Sequence, residues 1–490
     1  MNQKQAPLYE ALRTYEATKK ESLHVPGHKD GHVFDQEARM HFASILPIDA
    51  TEVKGLDDLH HPEEAIAAAQ QLAAEAFGAE QTFFLVGGTT AGNLAAAFAV
   101  CRPGEQILVQ RNAHKSVFNG LLLAGAHPVF ITPEMETETG AASCLHPSSI
   151  RKALQEYPSI RAVWLTNPSY YGMGSDLKNI SIICRDAGVP LLVDEAHGAH
   201  YGQAETVPES ALMCGADLVV QSTHKMLPAM TMASMLHVQG ERIDRIRLAT
   251  VLAMVQSSSP SYPLLASLDL ARRYLVQEGR QKLPESIDRL KKAQIELNNC
   301  LHSLTIWTGG YGIYSHDPLK WIIRSTRREM TGYQLLEWLE EEGCTAEMAD
   351  LHNVVLVFAL DTDQQTIQRT AGALSRIDRR LTQAEAEQIP VAKNIEDICL
   401  PLWMNAGETS IPARPLQEAF HSGHVVVPLD QAIGCCCAEM VIPYPPGIPL
   451  LVPGEIITDR HAHTIIQIQE SGGYFQGALD SAMKTVKILR

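Results

Sequence analysis

Short apolar runs of strand length alternate with helical stretches from about residue 64 to about residue 240, the pattern of a mostly parallel sheet with helices on its faces. Glu64 to Phe77 is rich in alanine, carries apolar residues at helical spacing and stops at Gly78, a residue suited to ending a helix. Strands are predicted at TFFLV (82–86), QILVQ (106–110), PVFI (128–131), AVWLT (162–166), PLLVD (190–194) and DLVVQS (217–222). The turn GGTTAGN (87–93) is predicted to lead into a helix from about Leu94 to Val100. AVWLT, PLLVD and DLVVQS end in polar residues, and open α/β sheets bind ligands at the carboxyl ends of their strands.

Beyond about residue 285 the texture changes to charged helices, QKLPESIDRLKKAQIELNN and TGYQLLEWLEEEG, separated by short strands such as NVVLVFAL (353–360). The polar stretch near 379–395 reads as a connection into a last segment that carries VIPYPPGIPLLVPGE (441–455). Three parts are expected. They are an N-terminal segment with a large ligand-binding domain (1–285), a small α/β domain (286–385) and a C-terminal domain (386–490).

Forty basic against 56 acidic side chains leave a net charge of -16, which removes the electrostatic footprint of a nucleic-acid binder. The ten cysteines include no CxxC pair, and Cys435, Cys436 and Cys437 are adjacent, so neither a zinc ribbon nor a disulfide framework is expected. They read as reduced thiols of a cytoplasmic protein, buried by default. The first twenty residues are polar and amphipathic, and no run of eighteen apolar residues occurs, so neither export nor a membrane span is expected.

In VVQSTHKM, Lys225 follows Ser222 and His224 just past an apolar strand. A lysine held there, its pKa lowered by burial, can form a Schiff base with an aldehyde cofactor, although a lysine near a loop is more often a solvated one. Asp194 ends PLLVD at the same edge of the sheet. Pyridoxal phosphate needs such an acid beside its pyridinium nitrogen, and the plainer reading is a helix cap. Asp194, Glu195, His197 and His200 also suggest a metal site, but HExxH is absent and none is expected. The turn GGTTAGN supplies glycines, the hydroxyls of Thr89 and Thr90 and a helix N-terminus, which suit a phosphate as well as a tight connection. It does not match GxxxxGK[ST]. His114, in RNAHKS (111–116), stands where it can stack on a planar ring or serve as a polar loop residue.

The ordered set HVPGHKDG (24–31), GLDDLHHP (55–62), GGTT (87–90), RNAHKS, TNPSYYG (166–172), DEAHGAH (194–200), STHK (222–225), SSSPSYP (257–263) and PYPPGIPL (443–450) resembles the pyridoxal-phosphate-dependent ornithine, lysine and arginine decarboxylases. The resemblance runs through nearly the whole chain and is nearest the short Bacillus-type arginine decarboxylase-like proteins, which lack the flavodoxin-like N-terminal wing of longer relatives. It implies the aspartate-aminotransferase fold (fold type I), pyridoxal 5'-phosphate as cofactor and a homodimer or dimer-based oligomer with its active site at the interface.

Carried over, the pattern makes Lys225 the Schiff-base lysine, Asp194 the partner of the pyridine nitrogen and His114 the stacking residue. It assigns Thr89 and Thr90 to the phosphate with Ser222 and His224, sets His197 beside the cofactor, and has Ser258 and Ser259 reach the phosphate of a neighbouring subunit.

The resemblance implies decarboxylation of a basic L-amino acid, leaning towards L-arginine, with agmatine feeding polyamine synthesis. His224 and Lys225 are the candidates for returning a proton to the α-carbon. A guanidinium or ammonium end needs a carboxylate, and Asp57, Asp58 and Glu439 are the candidates, each equally readable as a structural acid. Lysine or ornithine as substrate, transamination or elimination on the same fold, and a non-catalytic regulatory relative remain the alternatives.

Overall fold

The computed structural model describes residues 1–310, 313–327, 330–386, 405–444 and 447–490. Its centre is a sheet built from β1 (Gln81–Leu85), β2 (Gln106–Gln110), β3 (His127–Ile131), β4 (Ile160–Thr166), β6 (Leu191–Asp194), β7 (Leu218–Gln221) and β8 (Ser234–Val238), with a two-residue strand β5 (Met173–Gly174) outside it. The order is β1-β8-β7-β6-β4-β2-β3. The β3, β2, β4, β6 and β7 pairings are parallel, and β8 runs antiparallel between β7 and β1. This is the α/β architecture with a mostly parallel sheet that the alternation of runs predicts.

The strands read as continuous apolar runs because both faces are covered. Leu108, Val163, Leu165, Leu191, Val193 and Val219 point into one core. Their neighbours Ile107, Val109, Ala162, Trp164, Leu192, Leu218 and Val220 point into the other.

Helices α1 (Pro7–Ala17), α2 (Arg39–Phe42), α3 (Ala65–Phe77), α4 (Gly88–Val100) and α5 (Lys115–Ala124) precede or cross the first strands. Helix α3 stops at Gly78 with φ of 76°, as its sequence predicts. Helix α4 starts six residues earlier than expected: the GGTTAGN turn is its first coils, capped at Gly87. The reason is tertiary. Gly92 lies where a Cβ would come within 2.7 Å of Val220 Cγ1 and 2.8 Å of Leu85 Cδ1, so a glycine-bearing helix can lie directly on the sheet.

A second sheet, entirely antiparallel, contains β9 (Leu304–Ile306), β11 (Lys320–Ser325), β12 (Met348–Ala349) and β13 (Asn353–Val357) in the order β12-β13-β11-β9. It packs with the helices Arg280–Cys300, Gly332–Glu341 and Gln364–Ala386. Residue 285 lies inside the first of these helices, and 353–360 is a strand only to Val357. The strand β10 (Ser315–His316) leaves this unit to pair with β5, tying the two sheets together.

The strand β14 (Thr409–Ser410) then covers the β3 edge of the large sheet. The last unit holds β15 (His424–Pro428) paired with β18 (Thr485–Leu489), β16 (Pro443–Tyr444) paired with β17 (Tyr474–Phe475), and the helix Asp459–Glu470 around its own apolar cluster. Arg111, just past β2, anchors this unit by a two-point ion pair with Glu455 and by bonds to the carbonyls of Pro449 and Leu450. The expected connection near 379–395 and Pro445 and Pro446 of PYPPGIPL lie wholly or partly outside the described residues.

Candidate active site

The carboxyl ends of β1, β2, β4, β6 and β7 release the loops that carry the motif residues. Past β1, Gly87 and Gly88 open α4, whose first backbone N–H groups have no acceptor within the helix and whose dipole is positive at this end. Thr89 sits in that first turn, and its Oγ1 is 3.2 Å from Oγ of Ser222, which is buried at the end of β7. Thr90 beside it is exposed. Two strand ends thus bring hydroxyls and a helix terminus together, a cradle for an anion.

One turn further along α4, the buried Asn93 donates from Nδ2 to Asp194 Oδ2 (2.9 Å) and to Ser116 Oγ (2.9 Å). Ser116 Oγ in turn lies 2.8 Å from His114 Nδ1, and His114 caps α5 by accepting from the Ser116 N–H. Asp194 is 2% exposed, takes a further bond from the Ala196 N–H, and has no ion-pair partner among the described residues. Burial raises its carboxyl above the ordinary range, against the bonds from Asn93 and the charge of Lys225. Burial also lowers His114 to about 3, helped by the charges of Lys225 and Lys115, so its ring is neutral.

Lys225 lies in the short helix Thr223–Met226. Its Nζ is 3.1 Å from His197 Nε2 and stands 5.3 Å from the centroid of the Tyr170 ring. Tyr170 and His197 pack with ring centroids 4.6 Å apart. Burial lowers the Lys225 amine, opposed by the charges of Asp194 and Glu347. His197 is driven well below its usual value, first by burial and then by the charges of Lys225 and Lys320, and its Nδ1 is buried without a partner. His224 donates from Nδ1 to the Ala233 carbonyl at 3.0 Å and is kept neutral by burial, which leaves its Nε2 an acceptor.

These groups fit pyridoxal phosphate. A buried carboxylate with no cation bonded to it suits a protonated pyridine nitrogen, a depressed lysine suits an aldehyde, and the α4 terminus with Thr89, Thr90 and Ser222 suits a phosphate.

The remaining expected residues stand apart from this cluster. Ser258 and Ser259 are exposed, on the loop between the helices Arg245–Val255 and Tyr262–Tyr274, where the Ser259 backbone bonds to the Ser257 hydroxyl. The loop meets GLDDLHHP: His60 Nε2 is 2.8 Å from the Ser257 carbonyl, and the Tyr262 hydroxyl donates to the Asp57 carbonyl.

The candidate substrate acids are engaged elsewhere. Asp57 takes five backbone N–H bonds, from Asp58, Glu63, Glu64, Ile66 and Ala67, and so caps the entry to α3. Burial alone would raise its carboxyl, but those donors hold it below the ordinary value. Asp58 accepts from the His60 N–H. Glu439, 8% exposed, accepts from the N–H groups of Lys487 and Leu479 inside the C-terminal unit. Asp57, with five backbone donors, has little left to offer a guanidinium, whereas Glu439 takes two backbone bonds and lies 3.8 Å from the Lys487 ammonium.

Sequence reading missed a second carboxylate, after Asp194, whose charge reaches the cluster. Glu347, exposed and immediately before β12, exerts its charge on Lys225, His224, Lys320 and Tyr170. No motif marks it. Asn93, Ser116 and Tyr170 were also missed, although each lies inside a quoted motif.

Comparison with known proteins is consistent with this geometry. The profile of the Orn/Lys/Arg decarboxylase major domain matches residues 6–310, and that of the C-terminal domain of the same group matches residues 406–473. The chain is 40% identical over 476 residues to the uncharacterized protein YaaO of Bacillus subtilis, covering 96% of each. It is 35% identical to the arginine decarboxylase of Bacillus subtilis, covering 100% of this chain and 99% of the relative. Among solved structures, lysine decarboxylase A from Pseudomonas aeruginosa superposes with a TM-score of 0.85 at 22% identity, over 99% of this chain and 80% of the other. The fold is therefore the aspartate-aminotransferase-like one that the motifs imply.

Proposed function

The chain belongs to the Orn/Lys/Arg decarboxylase family, and from that premise we propose that it decarboxylates L-arginine to agmatine and carbon dioxide with pyridoxal 5'-phosphate. The observation that carries this reading is the depressed amine of Lys225, held 3.1 Å from a neutral His197, at the same sheet edge as the buried and cation-free Asp194.

When bound, the cofactor supplies an aldehyde and a protonated ring that takes up the electron pair freed as the bond from the α-carbon to the carboxylate breaks. Asp194 would hold the ring nitrogen, and Asn93 and the Ala196 N–H hold Asp194. His114, kept neutral, would stack on the ring; Gly447 of the C-terminal unit lies behind it, where an added Cβ would be 3.6 Å from the imidazole. Thr89, Thr90 and Ser222 would receive the phosphate, Thr89 and Ser222 being already 3.2 Å apart. Lys225, its amine lowered by burial and 3.1 Å from His197 Nε2, would hold the aldehyde and, once freed, would be the group able to return a proton from Nζ. His224 is the weaker candidate, because its Nδ1–H is already given to the Ala233 carbonyl.

Glu347 joins the acids expected from the sequence as a candidate carboxylate for the guanidinium. Its charge already acts on the Lys225 cluster, and no backbone donor is bonded to its side chain among the described residues. Ser258 and Ser259, exposed on the single chain, are available to a second copy, in keeping with a homodimer whose active site lies at the interface. A cytoplasmic setting in polyamine synthesis fits an agmatine-forming enzyme.

Product identification tests this reading. The purified chain is given pyridoxal phosphate and then L-arginine, L-lysine or L-ornithine separately, with carbon dioxide and amine both followed. Agmatine from arginine, without keto acid, is expected. Cadaverine or putrescine as the main product would move the assignment within the family, and absence of carbon dioxide from all three would end it.

A further inference from the structure

The small sheet reaches the Lys225 cluster through a second buried lysine. Lys320, the first residue of β11, is 1% exposed, and its Nζ donates at 2.7 Å to the backbone carbonyl of Tyr170. Asp317, fully buried three residues earlier, supplies the countercharge and is itself fixed by His200 Nε2 at 3.0 Å and by the Leu319 N–H. The TNPSYYG turn is shaped to receive this segment. Gly172, with φ of 84°, leaves no room for a side chain: a Cβ there would lie 2.9 Å from Asp317 Cβ and 3.1 Å from Lys320 Cδ. The β5–β10 pairing and the bond between Asp317 N–H and the Gly172 carbonyl hold the two segments in register.

A buried ammonium is costly unless it is paired and bonded, so this arrangement is maintained against a desolvation penalty. Its Nζ bond to the large domain goes to the residue whose ring lies beneath Lys225 and against His197.

We propose that Lys320 is a positioning residue for the decarboxylation: through the Tyr170 carbonyl it pins the Tyr170 ring, and with it Lys225 and His197, so that the small domain sets the geometry of the reactive amine. The inference rests on the function proposed above. It goes further by giving a catalytic consequence to a residue that touches neither cofactor nor substrate.

Lys320 also adds positive charge to the cluster. Burial lowers it to about 8, with a further push from Lys225 and opposition from Asp317 and Glu347, so it is mostly charged at neutral pH. The groups facing Lys225 are then Asp194, Glu347, His114, His197, His224, Tyr170 and Lys320. Of the two buried lysines, each disfavours the charge of the other.

The test is a double-mutant cycle with a second readout that needs no turnover. Lys320→Met should lower kcat by on the order of 10²-fold, with KM for arginine changed less than about threefold. On a Tyr170→Leu background the same change should cost less than about threefold, because the ring it positions is gone. In the cofactor-free chain, acetylation of Lys225, followed by mass spectrometry across a range of pH, should move to higher pH by about half a unit or more in Lys320→Met. Lys320→Arg, which keeps charge and donors, should leave that profile in place. Additive losses in the cycle together with an unmoved acetylation profile would overturn the proposal. If Lys320→Met does not fold, Lys320→Gln, too short to span to the carbonyl, takes its place. Failure of both to fold would overturn positioning in favour of a purely structural role. The acetylation result stands even if arginine proves not to be the substrate.

Discussion

The two sides of the Lys225 cluster are made differently. On the large-sheet side, Asp194, His114, Ser222 and Lys225 each lie within a few residues of a strand end, and Asn93 links Asp194 to Ser116, which is bonded to His114. On the small-sheet side, Lys320 and Asp317 meet their partners across 150 and 117 positions of sequence, and Glu347 acts through its charge. The first side is the chemistry that a cofactor requires and is written in compact motifs. The second side reaches the same cluster through long-range bonds and charge, and nothing short in the sequence marks it. Compact motifs at strand ends and long-range contacts from a second domain can therefore build one site.

Substitutions on the two sides should separate these contributions, the largest effects coming from the large-sheet side. Lys225→Ala is expected to lose at least about 10³-fold in decarboxylation of arginine, measured as carbon dioxide release, since the residue that both carries and exchanges the aldehyde is gone. Asp194→Asn removes the charge that the pyridine nitrogen needs, while the bond from Asn93 can persist. A fall of about 10²–10³ in kcat is expected, with the cofactor's absorbance showing that it still binds.

A small-sheet substitution should instead act on affinity and selectivity. Glu347→Gln is expected to reduce kcat/KM for arginine by roughly 10- to 100-fold, carried by KM, because one charge-assisted contact to the guanidinium is lost. A loss confined to kcat would place Glu347 with the chemistry and blur the contrast between the two sides.

The smallest effect should come from an acid outside both sides. Asp57→Ala is expected to leave KM for arginine unchanged and to cost about 1–2 kcal/mol of stability by uncapping α3, read from a thermal or denaturant transition. The pH dependence has a definite sign. The folded carboxyl is held below its unfolded value, so its contribution is complete above the unfolded value and is lost as pH falls through the folded one. The stability gap between Asp57→Ala and the native chain should therefore narrow in acid.

Much of the large sheet could be read from the chain alone. Six predicted strands recur within two residues at either end, because each is a short apolar run bounded by polar or turn residues. The start of α4 could not be read in that way. Two glycines and two threonines look like a turn, and only the close approach of Gly92 to Val220 and Leu85 makes a helix of them. Asp57 shows the same limit for function. Beside a basic substrate its carboxylate is a natural choice, yet the backbone folds five N–H groups onto it.

The sequence by itself determined the alternation of buried strands and helices and the residue types at their ends: a lysine, an acid, hydroxyls and a histidine in the order that the cofactor's chemistry asks for. Local patterns suffice there because burial period, turn chemistry and strand-end position are properties of neighbouring residues. Only the tertiary structure decided which carboxylates are filled by backbone and which remain for a substrate, and that Lys320 bonds to the carbonyl of Tyr170. Those outcomes depend on desolvation and on contacts between segments more than a hundred residues apart, and burial and charge act through space without regard to order along the chain.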